Sequence, residues 1–320
     1  MKTLRIKFVD FWFGFSESNN YFYNLLKDHY NIQLVDDPDI LIYSCYGTDY
    51  LKYKCMRIFY TSENLRPDFL ACDYALSFDY NFNQKHLRLP LYAMYIDNLG
   101  TIDQLTTKMT ITEAKKIWDA KTKFCCMVVS NGMSQRRLNF YKKLNNIKRV
   151  DSGGKWLNNV GGPVKNKMEF IRDYKFVLSF ENSSHAGYTT EKLVEPIFAN
   201  SIPIYWGDPQ VGSEFNTERF IHLSSSNTDD EIIKEILEIE ENEKRAIDMI
   251  MSATFANNSI PLSIQKENVL NFFRNIFDNY HLHKPIARNQ LFTKVHRLKI
   301  IKNNIEKTVM WHVGNFLYKY

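Results

Sequence analysis

KFVLSFENSSHAGYTTEKLVEPIFANSIPIYWGDP, residues 175–209, sets the fold class of this 320-residue chain. KFVLSF is an unbroken apolar run, the pattern of a strand covered on both faces, and IPIYW is another. Between them SSHAGY has turn composition. TTEKLVEPIFAN follows with a threonine at the N-cap position and apolar residues at helical spacing. The stretch therefore reads as strand, helix, strand. Pro196 falls well inside a helix capped at Thr190, which predicts a kink or a late start.

The same alternation extends in both directions. Upstream, KFCCMVVSN reads as a strand, SQRRLNFYKKLNN as a helix, IKRVDSGGK as a strand with a glycine turn, and KMEFIRDY as a helix. Downstream come FIHL and two long helices, at 228–252 and 262–280. The first third repeats the pattern: LRIKFVDF, NYFYNLLKDHY, IQLV and DILIYSCY read as strand, helix, strand, strand. RIFYTSEN and CDYALSFDY add two strand-plus-loop units, and LRLPLYAMYI leads outward. Residues 97–120, ending in the helical TEAKKIWDAKT, look like a connection between halves. The result is an α/β chain of two Rossmann-like halves, residues 1–110 and 111–280, with a tail at 281–320. A length of 320 residues also exceeds what one core usually serves.

Composition narrows the class. With 44% apolar and 24% charged residues the chain is globular rather than disordered. No apolar run approaches the roughly 18 residues of a membrane span. MKTLRIKFVDFWFGF imitates a signal peptide, but Asp10 interrupts it and no small-residue cleavage site follows, so a first strand is expected. The five cysteines lack C-x-x-C spacing, and the histidines form no zinc pattern. Reduced thiols in a cytoplasmic protein are the expectation. Residues 281–320 hold six lysines, two arginines and one glutamate, a net of +7, which leaves −2 for the rest. Such a tail suits either an anionic membrane surface or the body of the protein, and the near-neutral remainder argues against nucleic acid.

In α/β sheets ligands gather beyond the carboxyl ends of the strands, so chemistry is sought in the loops there. Lys192 sits in the first turn of the Thr190-capped helix, where the dipole favours an acid. A cation there makes sense if it meets an anion such as a diphosphate, with Asn182, Tyr188 and Glu191 beside it; a solvated Glu191–Lys192 pair is the plain alternative. Arg136 and Arg137 occupy the first turn of the helix that follows KFCCMVVSN, after Ser130 and Asn131, and an arginine fork suits phosphate oxygens. They would otherwise belong to a solvated basic face. Gly153 and Gly154, like Gly161 and Gly162, could allow close backbone approach, although no phosphate-loop pattern is present. Glu63 follows a strand in FYTSENLRPDF and could accept a proton from a hydroxyl. Asp36, Asp37 and Asp39 contain a D-x-D pattern that reads as a turn more readily than as a metal site.

Taken together, FENSSHAGYTTEKLVEPIFANSIPIYWGDP closely resembles the hallmark segment of the α1,3/α1,4-fucosyltransferases, glycosyltransferase family 10, particularly the bacterial members. FYTSENLRPDF resembles that family's acceptor-side motif. DYALSFDY, RLPLY, VVSN with RRLNFYKKLN, DSGGK and YKFVLSFEN follow in the family's order, across roughly residues 3–275. The resemblance implies a GT-B fold, two Rossmann-like domains facing a central cleft, the first binding acceptor and the second holding GDP-fucose. It implies no metal and no other cofactor. Glu63 would be the general base; Arg137 and Lys192 would hold the diphosphate; Asn182, Tyr188 and Glu191 would line the donor pocket, with Ser130, Asn131 and Gly153 at its edge. The implied acceptor is a glycan containing N-acetylglucosamine, as in Lewis-type lipopolysaccharide, with fucose entering by inversion. A transferase for another GDP-sugar and a silent sugar-binding module are the rival readings. The implied location is cytoplasmic, with peripheral contact at the inner membrane face through the tail. The heptad repeats that often precede such a tail in bacterial relatives are absent.

Overall fold

Leu4, Ile6 and Phe8 alternate with more exposed residues along β1 (Thr3–Val9), which buries one face of the strand and fixes its register. In the computed structural model, which describes residues 1–80 and 83–302, β1 lies inside a six-stranded parallel sheet. The others are β2 (Asn31–Leu34), β3 (Ile40–Tyr43), β4 (Met56–Tyr60), β5 (Tyr74–Ser77) and β6 (His86–Arg88), in the order β2-β1-β3-β4-β5-β6. All residues of β3 and β4 are buried, as central strands of a sheet covered on both faces must be.

A second parallel sheet holds β7 (Lys123–Met127), β8 (Val150–Ser152), β9 (Tyr174–Phe180), β10 (Ile202–Trp206) and β11 (Ile221–His222), in the order β11-β10-β9-β7-β8. The quoted stretch is the βαβ unit at its centre. Each sheet reverses its direction of growth once, at β1/β3 in the first and at β7/β9 in the second. These are the switch points where open α/β sheets bind ligands.

The chain divides into two units that depart from the expected boundaries. The second runs from Leu89 to Gln265 and includes residues 78–80; the first takes residues 1–77, 83–88 and 266–302 of the described chain. Helix Lys266–Asn279 thus belongs with the first sheet. Its buried face carries Val269, Leu270, Phe273, Ile276 and Phe277, with Phe273 against Phe22 and Phe277 against Tyr30.

Other expectations also shift. LRLPLY does not lead outward; it supplies β6, and helix Leu91–Leu99 follows Pro90. The 228–252 helix is two, Asp229–Glu241 and Glu243–Met251. Asn242 ends the first and caps the second by accepting from the Arg245 N–H. The 262–280 helix opens with a separate turn at Leu262–Ile264. Helix Glu191–Phe198 starts on time despite Pro196, and it ends two residues later, so only the Lys192 carbonyl loses a partner. Asp36 pairs with Lys7, while Asp37 and Asp39 pair with Arg5. All five cysteines are free thiols, and burial raises Cys72, Cys125 and Cys126. Trp311, Phe316 and Tyr318 of the tail lie outside the described residues.

The second unit also buries Lys121 at its base. Its ammonium donates to the carbonyls of Arg172 (2.8 Å) and Ala199 (2.9 Å) and to Ser201 Oγ (3.0 Å). Burial lowers its pKa to about 8, and the neighbouring Arg219 adds to the effect. Between about pH 8 and the ordinary lysine value the unfolded chain holds a proton that the folded one has released, so stability rises with pH in that window. Unfolding measured from pH 8 to 10 is expected to show a steeper rise for the parent than for Lys121→Met, by up to about 1.4 kcal/mol per pH unit. Parallel slopes would show that Lys121 stays charged in the fold.

Candidate functional site

β9 ends at Phe180, and the next side chain, Glu181, is wholly buried. A carboxylate there needs donors to replace lost water. Thr190 provides them: its backbone N–H donates to Glu181 Oε1 (2.8 Å), and its hydroxyl lies 2.9 and 2.8 Å from the two oxygens. The same residue caps helix Glu191–Phe198, with Oγ1 accepting from the Lys192 backbone N–H. One threonine therefore fixes both the strand end and the helix start.

Lys192 completes the group. Its ammonium lies 3.2 Å from Glu181 Oε2, 3.0 Å from Thr190 Oγ1 and 3.5 Å from Glu191 Oε1. Burial alone would lower its pKa, but Glu181 and Glu191 outweigh that and raise it, so the ammonium is retained. Burial raises Glu181, opposed by Lys192 and the Thr190 donors, and the convergence of donors holds it as an acceptor. Gly207 makes the room. A Cβ there would sit 2.3 Å from Glu181 Cγ and 2.9 Å from the Tyr205 hydroxyl.

Arg137 stands at the β7/β9 switch point. It lies in the first turn of helix Gln135–Ile147, capped by Ser134, and is 1% exposed. Its guanidinium donates to Asn131 O (3.0 Å), Phe180 O (2.8 Å) and Asn182 Oδ1 (2.9 Å). It thereby ties the loop after β7 to the end of β9. Among the described residues no carboxylate pairs with it, and its Nε is buried without a partner. Arg136 differs: it forms an ion pair with Asp229 at 2.5 Å and lies over the Phe140 and Phe180 rings.

The expected donor-side residues therefore sort into two groups. Arg137, Asn182, Glu191 and Lys192 converge with the unanticipated Glu181, and Asn131 contributes its carbonyl. Tyr188 is buried with its ring edge-on to Phe78, 4.9 Å between centroids. Ser130 and Asn131 are exposed in the loop after β7. Gly153 does not offer open backbone: a Cβ would meet Phe170 at 2.8 Å and Val164 at 2.9 Å, so its smallness serves packing. Gly161 and Gly162, with φ of +86° and +127°, have open space beside them.

Glu63 belongs to the first unit, in the loop after β4. Tyr46, from the loop after β3, donates its hydroxyl to Glu63 Oε1 at 2.9 Å. Burial pushes that phenol up to about 12, which keeps it a donor. Thr61 Oγ1 clasps the Glu63 backbone on both sides, accepting from its N–H (3.0 Å) and donating to its carbonyl (3.1 Å). Trp12 reaches Tyr46 edge-on, and the Asp10 carboxylate accepts from the backbone N–H groups of Asp49 and Tyr50. The loops after β1 and β3, at the switch point of this sheet, are thus laced together beside Glu63. Among the described residues no three His, Cys, Asp or Glu side chains are grouped so as to hold a metal ion.

Comparison with known proteins agrees with this geometry. Residues 6–95 match the alpha-(1,3)-fucosyltransferase FucT N-terminal domain, and residues 118–248 match the C-terminal domain of glycosyltransferase family 10 (fucosyltransferase). The chain is 31% identical over 319 residues to alpha-(1,3)-fucosyltransferase FucT of Helicobacter pylori, covering 84% of this chain and 66% of that one. It is 33% identical over 128 residues to 4-galactosyl-N-acetylglucosaminide 3-alpha-L-fucosyltransferase 9 of Homo sapiens, covering 39% and 35%. The chain therefore spans two thirds or less of the length of these relatives. A crystal structure of alpha1,3-fucosyltransferase with GDP-fucose superposes with a TM-score of 0.71 at 29% identity, covering 87% of this chain and 92% of that one; the GDP complex gives 0.70 at 28%, covering 87% and 91%. Two parallel sheets of GT-B type, two matching domain models and the charged edge at β7/β9 lead to one conclusion: the chain belongs to glycosyltransferase family 10, the fucosyltransferases.

Proposed function

We propose that the protein transfers L-fucose from GDP-β-L-fucose to a hydroxyl of an N-acetylglucosamine-containing glycan, with α1,3 linkage favoured, in one inverting displacement. The observation that carries this reading is the buried guanidinium of Arg137, unpaired with any carboxylate among the described residues, at a ligand-binding switch point. A diphosphate is the ligand such a fixed cation suits, and Lys192 adds a second charge. Asn182, Tyr188 and Glu191 supply polar groups to the nucleotide-sugar.

GDP leaves without protonation if its new charge is neutralised, and preorganised cations do this at little reorganisation cost. The acceptor then needs a base. In this reading Glu63 takes the proton from the acceptor O–H as that oxygen bonds to the anomeric carbon. The C–O bond to phosphate breaks, its electron pair leaves with GDP, and the β-linked donor becomes an α-linked product. Tyr46 holds the Glu63 carboxylate in one orientation beforehand.

Incubation with GDP-fucose and a panel of small glycans, with product linkage read by NMR, tests the activity; turnover with GDP-mannose alone would shift the donor assignment. In the same assay Glu63→Gln is expected to lower kcat by about a hundredfold or more while leaving GDP affinity near normal. Near-parental turnover in that variant would remove Glu63 from the mechanism.

Lys192→Ala is expected to raise the KM for GDP-fucose and lower kcat, together costing about a hundredfold in kcat/KM. EDTA is expected to leave the parent's rate unchanged, because Arg137 and Lys192 carry the charge. Loss of activity with the chelator, restored by added Mg²⁺ or Mn²⁺, would contradict this.

The reading also places the protein in the cytoplasm, in peripheral contact with the membrane. Helix 290–302 carries Lys294, Arg297, Lys299 and Lys302 with no acid, and it exposes Leu291, Val295, Leu298 and Ile301. Cosedimentation with phosphatidylserine vesicles at low salt, lost at high salt, is the expected result. Equal recovery with neutral vesicles would exclude an electrostatic attachment.

A further inference from the structure

The loop that carries Glu63 joins β4 to β5 and contains no regular secondary structure between residues 61 and 73. Its geometry must come from side-chain tethers. Two of its carboxylates, Asp68 and Asp73, are bound by residues more than 200 positions away.

Asp68 is held by helix 290–302. His296 Nδ1 lies 3.2 Å and Lys299 Nζ 2.9 Å from Asp68 Oδ2, while the other carboxylate oxygen accepts from the Leu70 N–H within the loop. The remaining ring nitrogen of His296, Nε2, is 2.6 Å from the Tyr50 hydroxyl. Burial pushes the Tyr50 phenol up to about 12 and lowers His296, so tyrosine donates to neutral Nε2 and Nδ1–H donates to Asp68. One imidazole thus spans two segments. It grips the Glu63 loop five residues beyond Glu63, and it grips the segment that carries Tyr46, the hydrogen-bond partner of Glu63. Tyr50 is itself stacked on Tyr43, 4.4 Å between centroids, and its N–H is held by Asp10.

Asp73 is the second anchor. Its Oδ1 accepts from the Ile286 N–H (2.7 Å) and its Oδ2 from the Arg57 N–H (2.8 Å). Arg288 Nε donates to Lys54 O (3.2 Å), and Ile300 packs on the cluster around Tyr43, Tyr50 and Phe59. The helix starts in place because Asn289 caps it, accepting from the Phe292 N–H. The packed face of this helix, at His296 and Ile300, is opposite its exposed apolar stripe.

We propose that helix 290–302 is a positioning element for the proton acceptor of the transfer reaction, with His296 as the positioning residue that fixes both the Glu63 loop and the Tyr46 segment. The inference rests on the reading of Glu63 as the base. Misplacing a catalytic group by about 1 Å can cost about a hundredfold in rate, so a loosened loop shows in turnover before it shows in donor binding.

The test uses His296→Leu and, as the milder change, Tyr50→Phe, which removes only the hydroxyl. Each is expected to speed amide exchange across residues 61–70 at least about tenfold, with β7 and β9 unchanged, and to lower kcat about tenfold with the KM for GDP-fucose within about twofold. In a Glu63→Gln background the kcat effect of either change should disappear, because no base is left to misplace. Unchanged exchange at 61–70 in both variants overturns the proposal. So does a kcat loss that persists in full without Glu63. If Glu63→Gln alone keeps parental turnover, the base assignment fails instead, and the exchange data by themselves decide whether His296 holds the loop.

Discussion

The second sheet depends on keeping a charged carboxylate in a place water cannot reach. Removing an ion from water costs several kcal/mol unless fixed partners replace the solvent. For Glu181 those partners are Thr190 and Lys192, and Gly207 provides the space. Strand end, helix cap and ammonium are consequently one unit; moving any of them strands the acid. The charges at this strand edge are therefore held in one orientation by partners within the unit.

Adjacent arginines show how local geometry divides such roles. A step of one residue turns a side chain about 100° around a helix. Arg136 points to Asp229 and is neutralised there, whereas Arg137 turns under β9 and meets carbonyls and an amide. Carbonyls stabilise a cation without cancelling its charge. Lys121 follows the same rule at the base of the unit, with two carbonyls and a hydroxyl as partners. There the consequence is a pH-dependent stability.

The fold was legible where local signals repeat. Apolar runs of strand length, the cap at Thr190 and the βα alternation each reflect interactions within a few residues. The first-turn positions of Arg137 and Lys192 were legible, since cations there oppose the dipole. Glu181 was not, since its burial depends on Gly207 and Thr190 together, and a lone acid after a strand has no distinguishing mark. The role of Gly153 was misread for a related reason: a missing Cβ can make room for a ligand or for Phe170. Helix Lys266–Asn279 shows the remaining limit. Its amphipathic period specifies a helix with one apolar face but carries no information about which sheet that face will cover.

That helix has a consequence for how the protein is made. Phe22 and Tyr30 emerge early from the ribosome, while Phe273 and Phe277, which cover them, emerge more than 240 residues later. Translation completes the whole second sheet during that interval. Phe22 and Tyr30 wait with their apolar rings uncovered, so chaperone demand should fall on the earliest part of the chain.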